Sequence, residues 1–176
     1  MTGEPMRIWF GFYAVTAGAA ATLMGLLFVA VSVNVAAILG DAQGNSRRLA
    51  EQAFQNYLAV LLVSLLAMFP SMTLAELGFV TLSVTAAWAI WVLVRAYLAL
   101  TRPYPGGSRL HSLRRQTSSL IGFGMLIFAA LRMALNIGDS RNLFAVATTI
   151  LLFSAAAMSW ELLIKISKAK EGGPGG

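Results

Sequence analysis

Apolar and polar positions do not alternate along this chain; they separate into long apolar runs with short polar breaks between them. Five runs stand out: Ile8 to Leu39, Ala53 to Phe69, Leu74 to Leu100, Leu110 to Ile137 and Leu143 to Ile166. The breaks carry turn chemistry, in Gly40–Ser46, Pro70–Thr73, Arg102–Ser108 and Gly138–Ser140. Pro70 has no amide hydrogen and disfavours helix in Phe69, so a tight hairpin is expected there. Joining residues 53 to 100 into one helix would make it 48 residues long. At about 1.5 Å per residue that is far more than a bilayer core of about 30 Å. The pattern therefore predicts an all-α integral membrane bundle of five transmembrane helices, one domain over residues 1–168, with a flexible Gly-rich tail at 169–176.

Composition agrees with this reading. Of 176 residues, 58% are apolar and 11% charged, against about 25% charged in soluble domains, and the mean hydropathy is +0.74. Backbone groups in lipid are satisfied only in helices or closed barrels, and unalternating runs do not suit barrel strands. The net charge of +6 is explained by where the cations fall. With five spans, one side holds Arg47, Arg48, Arg95, Arg102, Arg109, Arg114, Arg115, Lys165, Lys168 and Lys170, and the other only Arg7, Arg132 and Arg141. The positive-inside rule then puts the N-terminus outside and the C-terminus in the cytoplasm. The cytoplasmic cations are also expected to attract anionic lipids, whereas no stacking platform or groove-reading module points to nucleic acid. Ala19-Ala20-Ala21 imitates a signal-peptide cleavage site, but Arg7 is offset by Glu4 and the apolar run continues unbroken to Leu39.

Chemistry-bearing residues are few. There are no cysteines, and His111 is the single histidine, which leaves out thiol chemistry, thiolate metal sites and paired-histidine haem. No Gly-rich phosphate loop, nucleophile with nearby base, or carboxylate pair at a common depth is present. The expectation is a protein that is not an enzyme and holds no cofactor or metal.

The first run is unusual in being paved with small residues. Gly11, Gly18 and Gly25 recur every seven positions, Ser32 continues the series, and Ala14 and Ala21 lie between them. Membrane helices associate by close packing, and small side chains let backbones approach, so this stripe is expected to be a helix-packing seam. Its partner is either another span of the same chain or a second protein. The run is also too long for an upright crossing, so it should tilt or emerge, with Trp9, Phe10, Phe12 and Tyr13 as an outer aromatic belt.

Ionisable groups inside a membrane are functional candidates by default, yet every charge here can reach an interface. The bilayer centre is expected to hold only hydroxyls such as Thr22, Ser64, Thr81, Thr85, Thr148 and Ser154, which gives no support to an ion-coupled transporter. Thr73 and Glu76 have the spacing of a capping box; alternatively Glu76, Arg132, Asn136 and Asp139 form an outer polar ring. The face Gly78, Thr81, Thr85, Trp88 is the best candidate for lining a pore, although such hydroxyls also bond back to their own helix. Glu161 precedes Lys165 by four residues, the favourable order for an inner-side ion pair. Arg95 follows Trp88 and Trp91 at helical spacing, suiting a cation-π contact.

The segment "AGAAATLMGLLFVAVSVN" (Ala17 to Asn34), with the Arg-bearing loop after it and "LAVLLVSLLAMFPS" (Leu58 to Ser71), resembles small multispan inner-membrane proteins of bacteria, some of them labelled modulators of a membrane-bound AAA protease. The resemblance covers about the first 70 residues and implies an accessory inner-membrane protein without catalysis. Two functional expectations follow: an oligomeric or accessory subunit acting through helix association, or a homo-oligomeric ion or small-solute channel.

Overall fold

Long runs rich in Ala, Leu and Met favour helix intrinsically, and helices are what form. A computed structural model describes residues 4–41, 44–69, 72–101, 109–138 and 140–171, with side chains described for 9–41, 46–69, 72–88, 119–138 and 140–167. All regular structure among them is α-helical: α1 (Glu4–Val33), α2 (Val35–Leu39), α3 (Asn45–Ala67), α4 (Leu74–Thr101), α5 (Arg109–Ala134) and α6 (Arg141–Glu171). Three stretches are long and apolar enough to cross a membrane: Trp9–Val33, Ser46–Ala67 and Arg141–Ser167. The described apolar parts of α4 and α5 are the shorter segments Leu74–Trp88 and Ser119–Ala134.

Several boundaries differ from those expected. The first run is broken at Asn34 (φ −116°, ψ 23°). Its side-chain Nδ2 donates to Ala30 O at 2.8 Å, the carbonyl its own amide would use in a continuous helix, and that amide turns to Val31 O at 3.2 Å. Asparagine competes with the backbone in this way wherever its side chain can reach a carbonyl. The helix of the second run, α3, starts at Asn45, eight residues before Ala53, because its first two turns are amphipathic and an apolar count overlooks them. Leu49 faces inward with no exposed surface, while Arg47 and Glu51 form an exposed ion pair at 2.9 Å. Gly44 (φ +62°) supplies the left-handed entry, and Asp41 Oδ2 accepts from both the amide and the hydroxyl of Ser46 at 2.8 Å. At the C-terminus α6 runs to Glu171, beyond the expected end at Ile166 and into the segment expected to be a flexible tail; residues 172–176 lie outside the described ones.

Where the sequence reads as one domain, the contacts gather into two compact units, residues 1–68 with 149–176, and residues 69–148. In the first, α1 packs on α3, and the core is built from Leu27, Ile38, Leu49, Ala53, Tyr57, Ala155, Met158, Leu162 and Ile166. The short helix α2 belongs to this core through Ile38. In the second, α4 packs on α5 at unusually short range. A Cβ built on Gly78 would lie 2.5 Å from Ala134 N and 2.7 Å from Ala130 O. Only a residue without a Cβ lets the two backbones meet here, as small residues do between membrane helices.

Candidate functional site

The seam expected on the first run is on α1, on a face that the described residues of its own unit leave open. Gly11, Gly18, Ala21, Gly25 and Ser32 are exposed and Ala14 is half-buried. A Cβ on Gly11, Gly18 or Gly25 would meet nothing within 4 Å. Within its own unit the stripe is left uncovered, and the packing of α1 on α3 uses another face. The buried face of α1 runs through Tyr13, Ala17, Ala20 and Leu27, which is one residue, or about 100° of helix, round from the seam. That face is also rich in small residues, which is why sequence spacing alone did not separate the two. The hydroxyls beside the outward stripe are satisfied within the helix, Thr22 by Gly18 O and Ser32 by Phe28 O, each at 2.8 Å. The stripe thus presents a smooth, uncharged surface.

The residues expected in an outer polar ring are engaged locally instead. Glu76 and Thr73 form the reciprocal capping box at the start of α4: Thr73 N donates to Glu76 Oε2 at 2.8 Å, and Glu76 N to Thr73 Oγ1 at 3.3 Å. These bonds satisfy two amides that a helix start leaves without partners. Arg132 is the third residue from the end of α5, in a Schellman arrangement: Ile137 N donates to Arg132 O at 2.9 Å and Asn136 N to Met133 O at 3.1 Å. Asn136 takes the left-handed conformation the motif requires, at φ +53°. The Arg132 guanidinium donates through Nε (3.3 Å) and Nη2 (3.1 Å) to Ile137 O and lies 5.9 Å from the centre of the Phe128 ring. Asp139 lies outside the described residues.

The pore-lining candidate on α4 is corrected by its surroundings. Gly78 abuts α5, Trp88 stacks on Phe123 with ring centres 4.0 Å apart, and Thr81 and Thr85 between them are buried. Thr85 donates to Thr81 O at 2.7 Å. This face is the α4–α5 packing surface, because the glycine that makes it look open is what lets α5 close it. Glu161 and Lys165 do pair on α6, at 4.0 Å and partly exposed. Arg95 and Trp91 have no described side chains.

Sequence reading missed one polar cluster altogether. Asn56, at the middle of α3, is 1% exposed, and its Nδ2 donates to Ser154 Oγ at 3.4 Å and lies 3.9 Å from Met158 Sδ on α6. One residue on, the hydroxyls of Tyr57 and Ser159 are hydrogen-bonded at 3.3 Å. Starting the span at Ala53 had placed Asn56 near a membrane boundary, where an amide attracts no notice; the true start at Asn45 puts it halfway along the helix. The available signal was the amphipathic pattern of residues 45–52.

Fold and site together define an all-helical protein with membrane-spanning capacity and an exposed small-residue helix face. No family model, curated protein or solved structure matches the chain.

Proposed function

We propose that this is a non-enzymatic, multi-pass protein of the bacterial inner membrane, with five spans, the N-terminus outside and the C-terminus cytoplasmic, that works by helix association. It acts as a subunit of an oligomer or as an accessory to a larger membrane machine. The observation that carries this reading is the outward stripe of α1: six small positions at heptad spacing with open space before their glycines. Leucine or phenylalanine would suit lipid at least as well, so a face pared down to Gly, Ala and Ser is explained by a backbone that comes close to it. Supporting it, the ionisable groups at the described helix ends are used in caps and ion pairs within the chain. The channel alternative would need a lining other than Gly78–Trp88, since that face packs on α5.

The test is the mass of the nanodisc-embedded particle by native mass spectrometry, for wild type and Gly18→Leu. Wild type should carry additional mass, a further copy or a co-purified membrane protein, and Gly18→Leu should lose it while keeping its helix content and unfolding temperature. A wild-type monomer with no partner, or an assembly indifferent to Gly18→Leu, overturns the reading. Only a channel would show altered ion flux in Arg132→Ala with assembly intact.

A further inference from the structure

Independent of α1, the second unit has a surface feature beside the cap of α5. A shallow open depression of about 410 Å³ is lined by Phe128, Arg132, Ser140, Asn142, Leu143 and Val146. Its polarity is graded along the helices. Arg132, Ser140 and Asn142 lie at the α5–α6 turn, while Phe128 and Val146 lie one turn deeper, each four residues away along its helix. Arg132 has no carboxylate partner among the described residues; its bonds go to the neutral carbonyl of Ile137. The first turn of α6 has no acidic residue and begins with a second cation, Arg141. By sequence the turn carries two arginines against one acid, Asp139, which leaves an excess of positive charge at the polar end. The apolar stretch Arg141–Ser167 begins at this same turn, so the polar end of the depression coincides with the end of a membrane-length helix.

We propose that this depression is a seat for one anionic phospholipid, its phosphate at Arg132 and the head of α6, and its acyl chain along Phe128, Leu143 and Val146. Three features suit that occupant. A guanidinium offers planar donors to phosphate oxygens. A helix start favours anions through its free amides and dipole. The apolar wall one turn below receives the part of the lipid that a soluble anion lacks. The seat lies at the opposite end of α6 from Lys165, and so is separate from the attraction of anionic lipids to the cytoplasmic cations.

The experiment uses the full chain in nanodiscs doped with phosphatidylglycerol bearing a photoactivatable diazirine in its acyl chain, followed by digestion and peptide mapping. Adducts are expected on the peptides holding Phe128, Leu143 and Val146. Excess unlabelled phosphatidylglycerol should displace the probe, and phosphatidylcholine or inorganic phosphate should not. Arg132→Gln keeps a donor for Ile137 O but removes the charge, and should lower the yield at these peptides about fivefold, the factor that corresponds to about 1 kcal/mol per basic residue near an anionic surface. Arg132→Lys should restore it. Val146→Trp, at a half-exposed position, should lower the yield by filling the wall while leaving the charge in place, which keeps the test decisive if Arg132→Gln disturbs the turn. Equal labelling by a phosphatidylcholine probe, unchanged yield in both Arg132→Gln and Val146→Trp, or displacement by inorganic phosphate would each overturn the assignment.

Discussion

Adding one methyl group at Gly78 should loosen the α4–α5 pair, and the structure gives both the sign and the size. The new Cβ would stand 2.5 Å from Ala134 N, 2.7 Å from Ala130 O and 2.9 Å from Met133 Cβ. The first two are backbone atoms and have no rotamer by which to move aside. Restoring ordinary contact at about 3.4 Å demands that the helices part by nearly 1 Å, and a gap of that order forfeits a quarter to a half of each dispersion contact along the interface. Overpacking of this kind costs about 1–3 kcal/mol. Alanine returns about 0.5–1 kcal/mol through helix propensity, leaving a net loss of up to about 2.5 kcal/mol. Thermal unfolding in detergent, followed by circular dichroism, should show a fall of up to about 10 °C on the scale for domains of this size. Gly18→Ala is the matched control: its Cβ meets nothing within 4 Å, so only the propensity gain applies and the monomer should be unchanged or slightly more stable. If Gly78→Ala and Gly18→Ala shift the transition equally and in the same direction, the close approach of α4 and α5 is wrong.

The Asn56–Ser154 bond should be measurable by a double-mutant cycle with Asn56→Leu and Ser154→Ala. The expected coupling is about 0.6 kcal/mol and no more than about 1.7, the range for hydrogen bonds between membrane helices, and additivity of the two changes would place the bond elsewhere. Tyr57→Phe should cost about 0.5–1.5 kcal/mol through loss of the bonded hydroxyl, read as a lower unfolding midpoint; no change would mean the Ser159 contact contributes nothing. Thr73→Ala should cost about 1 kcal/mol by removing one half of the α4 cap, with fraying of the first turn visible in hydrogen exchange at residues 74–77, and protection equal to wild type would refute the capping role.

The chain's own pattern determined a good deal. Unalternating apolar runs impose helices because no other open structure satisfies the backbone in lipid, and turn chemistry at Gly40–Ser46, Pro70–Thr73 and Gly138–Ser140 separates them where the described helices end and begin. The capping box of Thr73 and Glu76 and the pair Glu161–Lys165 were legible as well, since both depend on spacing along one helix. What the pattern left undecided was every question about which face meets which. Gly18 and Gly78 look alike in sequence, yet the first faces open space and the second touches the backbone of α5. Tyr13, Ala17 and Ala20 differ from the outward stripe by a single step around the helix. Asn56 became the middle of α3 only once the polar first turns were seen to be helical. Local spacing records a residue's neighbours on its own helix, whereas the rotation of that helix against others is set by packing between segments far apart in the chain. For this protein that rotation decides which small residues bury the core and which remain exposed.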